Sequence, residues 1–132
     1  PPVLSLTPWQ YGPAVDMWSI GCILAELLLK VPLLPGKTDM EQLHLIFSLL
    51  GTPNAHNWPG VDLLPGWSQW KETVKRDSKK PTIQKTFSEF DEETRDLLCS
   101  IMVLDPDQRM SAETAGKHKF FSTFPLPCEP GT

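Results

Sequence analysis

Apolar residues gather into helical stretches separated by proline-rich punctuation. Residues 14–30 are apolar on nearly every face. Gly12-Pro13 opens them, and a proline suits a first-turn position whose N–H would find no partner anyway. A helix apolar all round is enclosed by protein, so this one is expected to be the hub of its domain. Pro32 and Pro35 end it. The run is shorter than the roughly 20 residues a bilayer requires and contains Asp16 and Glu26, so the pattern argues against a membrane span.

The next helix is marked at both ends. Thr38 can cap it, and Glu41, three residues on, completes a capping box. Met40, Leu43, Phe47 and Leu50 form one apolar stripe. Gly51 stands where a left-handed residue ends a helix, and Pro53 forbids continuation. From residue 52 to 89 the periodicity fades among Pro/Gly clusters, which reads as an inserted, partner-facing segment pinned by Trp58, Trp67 and Trp70. Asp91 opens a third helix with Glu92 and Glu93 at its positive end and Leu97, Leu98, Ile101 and Met102 as its buried face. Asp105-Pro106 stops it, Ser111 caps a last short helix, and Phe120, Phe121 and Phe124 are expected to pack the tail down. No strand pair is credible, so the fold class is mostly α.

Composition narrows the picture. The 132 residues are 40% hydrophobic and carry a net charge of −4, so no global basic field would draw in nucleic acid. Charge is uneven: residues 71–85 hold six of the twelve Lys and Arg, and residues 89–96 hold five acids. A solvated basic loop followed by an acidic helix start is the plain reading. Cys22, Cys99 and Cys128 are widely spaced and form no zinc pattern with His44, His56 and His118, so reduced thiols of an intracellular protein are expected. The chain opens Pro1-Pro2 without Met, as a piece of something longer would.

Local motifs exclude more than they establish. Asp105-Pro106-Asp107 imitates the start of a calcium loop, but Met110 and Gly116 stand where Gly and Glu are required. There is no phosphate-cradling Gly-rich loop and no nucleophile elbow.

The order of segments is more specific. Asp16-Met17-Trp18-Ser19-Ile20-Gly21-Cys22 resembles the D-x-W-S-x-G-C element of protein kinases, and Leu104-Asp105-Pro106-Asp107-Gln108-Arg109 resembles their L-D-P-x-x-R pattern. Pro1-Pro2-Val3 stands where that family closes its activation segment with Ala/Pro-Pro-Glu, and His118-Lys119-Phe120-Phe121 is similar to the lobe's usual ending. Tyr11-Gly12-Pro13, Leu34-Pro35-Gly36-Lys37-Thr38 and Leu50-Gly51-Thr52-Pro53 look like cyclin-dependent kinases. Asn57-Trp58-Pro59-Gly60-Val61 and Pro125-Leu126-Pro127-Cys128 lean toward the transcription-linked branch, including plant C-type members.

The resemblance covers essentially all 132 residues and implies part of the helical C-terminal lobe of a Ser/Thr kinase, with an insert at about 52–89. For an intact enzyme it implies ATP and Mg2+, a cyclin, protein substrates phosphorylated before Pro, and a nuclear location. None of the nucleotide, metal or catalytic-loop motifs falls within these residues, so the fragment alone is expected to be inactive, with no catalytic, cofactor-binding or metal residue. The alternative is a truncated or degenerate kinase acting as a protein-binding module. By resemblance, Asp16 would accept backbone N–H bonds from the catalytic loop; from sequence alone it could be a helix cap. Trp18, Gly21 and Ile23 would be packing residues. Arg109 could be a surface cation, whereas the resemblance buries it facing Pro1, Pro2 and Val3.

One departure stands out. The family's Glu is Val3 here, and Ser5 and Thr7 replace an apolar residue and a Gly. Stripping a buried ion pair of one member costs about 3–5 kcal/mol. The expectation is therefore that Arg109 is partly solvated rather than buried without its carboxylate.

Overall fold

The computed structural model describes residues 12–76 and 78–123. In chain order the helices are α1 (Pro13–Leu29), α2 (Asp39–Leu50), α3 (Trp67–Arg76), α4 (Ile83–Thr86), α5 (Glu92–Ile101), α6 (Ala112–Gly116) and α7 (Lys119–Thr123). Two 3-10 turns, Val61–Leu63 and Pro106–Gln108, interrupt the connections, and no strand occurs among the described residues. The mostly helical expectation holds.

The helix starts follow from local chemistry. Pro13 is the first residue of α1. Thr38 Oγ1 accepts from the Glu41 N–H at 3.1 Å, as a cap should, while Glu41 reaches back to the Lys37 N–H at 2.8 Å, one residue beyond the usual box. Asp91 accepts from the Thr94 N–H at 2.9 Å and Ser111 from the Thr114 N–H at 3.2 Å. Gly51 closes α2 at φ 90°, a backbone that side-chain-bearing residues avoid.

The core forms where α1, α4 and α7 gather around α5, with α2 packed against α4. Leu97, Leu98, Ile101 and Met102 of α5 and its C-terminal cap are essentially sealed from water. α1 crosses α5 at Gly21, where an added Cβ would lie 2.6 Å from Ile101 Cγ2 and 2.7 Å from Met102 Sδ. Only glycine allows so close an approach. α2 presents Leu43, Ile46, Phe47 and Leu49 to this core. Its buried stripe is thus turned relative to the expected one, and Met40, before the first full turn is covered, is left 48% exposed.

Two expectations need correction. α1 is not enclosed on all sides: Met17, Trp18, Gly21 and Ala25 are buried, but Ile20, Ile23 and Leu27 are 48, 58 and 70% exposed. Ile23 is therefore not a packing residue among the described residues, because no described element lies over that face. The 52–89 segment is also more ordered than its lost periodicity implies. It contains α3, α4 and a 3-10 turn; Trp58, Val61, Ile83 and Phe87 are buried, and Trp67 and Trp70 pack half-buried against the core. The Thr52 N–H donates to the Lys79 carbonyl at 3.0 Å and the Thr82 N–H to the Leu49 carbonyl at 2.9 Å, tying the returning chain to the end of α2. The Trp58, Trp67 and Trp70 anchors behave as expected. The placement of Phe124 lies outside the described residues.

Candidate functional site around Arg109

Arg109 follows the second 3-10 turn, which Asp105 builds by accepting from the Asp107 N–H at 3.0 Å. That turn packs against the start of α1 and delivers the guanidinium beneath it. Arg109 is 7% exposed, so the expected partial solvation is wrong. The reason is that backbone carbonyls do the work of a carboxylate. Nη1 donates to the Ala14 carbonyl at 2.7 Å, and Nη2 donates to those of Val103 at 2.8 Å and Leu104 at 3.4 Å. The guanidinium carbon lies 5.0 Å from the centroid of the Trp18 ring, a cation–π contact that also holds the charge.

This receptor is incomplete. Arg109 Nε is buried and has no acceptor among the described residues. Burial pulls the Arg109 pKa down to about 10, with Asp105 opposing the change, so the side chain stays cationic at neutral pH. Pro2 and Val3, the expected neighbours of Arg109, lie outside the described residues.

Asp16 is exposed in the first turn of α1. Gly12 occupies the capping position, so Asp16 is not the helix cap that sequence alone allowed. Trp18 and Gly21 lie on the opposite, buried side of α1, one against Arg109 and the other against α5. The structure thus joins Trp18 and Arg109 directly and leaves Asp16 facing outward on the same helix. Cys22 is half-buried nearby, and burial, reinforced by Glu26, pushes its thiol up to about 11. Burial likewise raises Cys99, with Asp96 adding to it.

Sequence reading missed two arrangements. The carbonyl receptor for Arg109 has no side-chain signature at all. The second is a link between α5 and α7, where His118 Nε2 lies 2.6 Å from Asp96 Oδ2. It borders an open cavity of about 520 Å³ whose rim carries Glu92, Glu93, Lys117 and Lys119. Among the described residues no three His, Cys, Asp or Glu groups lie close enough to hold a metal ion, and no helix is long and apolar enough to cross a membrane. The described residues therefore offer no cluster that would hold Mg2+.

Comparison with known proteins places these features in a family. Residues 1–121 match the family model described as "Protein kinase domain". "Cyclin-dependent kinase C-2" of Arabidopsis thaliana is 47% identical over 130 residues, covering 98% of this chain and 25% of the relative. "Cyclin-dependent kinase C-1" of Oryza sativa subsp. japonica is 48% identical, covering 98% of this chain and 24% of the relative. "Cyclin-dependent kinase 7" of Dictyostelium discoideum is 41% identical, covering 86% and 30%. The chain spans about a quarter of the length of the plant relatives. By this match across residues 1–121, which takes in the D-x-W-S-x-G-C helix and Arg109, the chain belongs to the protein kinase family, among relatives of the cyclin-dependent type.

Proposed function

We propose that these residues are the helical C-terminal part of a cyclin-dependent-type kinase domain, running from the end of the activation segment to the lobe's last helix. In the intact protein they would support ATP- and Mg2+-dependent phosphorylation of Ser or Thr before Pro, in the nucleus and under control of a cyclin. The observation that carries this reading is the kinase-domain match across residues 1–121. The short coverage of the relatives supports a partial domain, and so does the exposed apolar face of α1, since Ile20, Ile23 and Leu27 form a surface that a complete domain would bury.

The roles follow residue by residue. Asp16, outward-facing and without a hydrogen bond from the described residues, is free to accept backbone N–H groups of a catalytic loop. Trp18, Gly21 and Arg109 hold α1 on α5 and fix where Asp16 stands; Pro2 and Val3 would close the activation segment beside them. The 52–89 segment serves as docking surface. Its Lys71, Arg76, Lys80 and Lys85 are exposed and form no ion pair with the described residues.

The test is phosphate transfer from labelled ATP to a Ser-Pro peptide by the full-length protein with a cyclin. Transfer is expected there, with neither transfer nor Mg2+-dependent ATP binding by residues 1–132 alone. Full-length protein that binds its partners but transfers nothing would favour the second reading, a non-catalytic binding module, for which Val3 in place of Glu is the motivating observation.

A further inference from the structure

His118 immediately precedes α7 and occupies its capping position. Its Nδ1 accepts the Phe120 N–H at 3.0 Å, and Phe120 is the second residue of that helix. This is the bond that an Asn or Ser cap would make with its oxygen. The other nitrogen, Nε2, lies 2.6 Å from Asp96 Oδ2, and the His118 side chain is only 10% exposed. Both contacts together fix the tautomer. Nδ1 must be bare to accept an N–H, so Nε2 carries the proton and donates to Asp96.

We propose that His118 is a proton-sensitive cap that fastens α7 to α5 when neutral and releases the first turn of α7 when protonated. The two sides of the ring respond differently to a proton. Nε2–H donates to Asp96 in the neutral and in the cationic ring alike, so the tie to α5 survives. Nδ1 changes from acceptor to donor and then faces the Phe120 N–H, another donor. The cap is lost while the ring stays anchored. On α5, Glu92 and Glu93 join Asp96 in lining this site, Lys117 and Lys119 line it too, and Met110 and Thr114 from the α6 side carry no charge. Lys117 is also held to Glu113 at 3.5 Å. Phe120 is 4% exposed, so the turn that the cap holds is the one that plants this ring in the core.

Hydrogen exchange of the 119–123 segment in the full-length protein, corrected for intrinsic pH dependence, tests the proposal. Protection should fall about tenfold between about pH 7.5 and about pH 5.5, the size of one lost neutral hydrogen bond. His118→Asn keeps a capping oxygen that does not titrate, so its protection should be flat across that range. Nitrogen-15 spectra of labelled histidine should show the Nε2–H tautomer at about pH 7.5. A flat profile for the unaltered protein, the same fall in His118→Asn, or an Nδ1–H tautomer at neutral pH would each overturn it.

Discussion

The two faces of α1 both carry large apolar residues but have opposite surroundings. Met17, Trp18, Gly21 and Ala25 meet α5 and Arg109, whereas Ile20, Ile23 and Leu27, equally apolar or more so, meet no described element. Val31, just past the helix, extends that outer stripe at 57% exposure. Burial on this helix is set by which described element lies over a face, not by how apolar that face is. The inner face explains how this chain holds together, and the outer face carries the proposal that a larger domain covers it.

The largest effects belong on the inner face. Trp18→Ala removes a buried ring and the surface beneath the Arg109 guanidinium, and should cost about 3–5 kcal/mol in denaturant unfolding of the full-length protein. Arg109→Met leaves the carbonyls of Ala14, Val103 and Leu104 without their donors and should cost about 2–4 kcal/mol. A loss below about 0.5 kcal/mol for either would place the join between α1 and α5 elsewhere.

The outer face sharpens the contrast. Leu27→Asp should cost about 2–3 kcal/mol in the full-length protein, if a larger domain buries that position there, and close to nothing in residues 1–132. Val3→Glu offers Arg109 a carboxylate, but three carbonyls already hold the guanidinium, and among the described residues it is Nε that lacks an acceptor. The gain in the full-length protein should therefore be only about 1 kcal/mol, and it should vanish when Arg109→Met is added. A gain that persists without Arg109 would disprove the pairing. Among the smaller effects, alkylation of Cys22 at neutral pH should run about 100-fold slower than that of a free cysteine, because its pKa near 11 keeps the thiolate scarce. The rate should climb only as pH approaches that value.

Legibility in the sequence tracked the range of the interaction. The caps at Thr38, Asp91 and Ser111 were readable because donor and acceptor sit three residues apart. The buried face of α5 was readable because its four apolar residues follow helical spacing and all four are sealed. α3 was missed because ten residues with Trp67 and Trp70 only half-buried give too short a period to see. The burial of Arg109 was misjudged because its acceptors are main-chain carbonyls, one of them 95 residues away. The link from His118 to Asp96 spans 22 residues, and neither residue type announces the other. The outward position of Asp16 became visible only once the capping position fell to Gly12.

The central claim is that the outer face of α1 is buried in the complete protein. The most direct test compares thiol labelling of Leu27→Cys and Leu63→Cys in the full-length protein without partners. Both positions are open among the described residues, at 70 and 83% exposed. Leu63→Cys should react as a free thiol and Leu27→Cys at least about 100-fold more slowly, since a sealed thiol must wait for local opening. Equal rates at the two positions would show that nothing covers α1, and the partial-domain reading would fail.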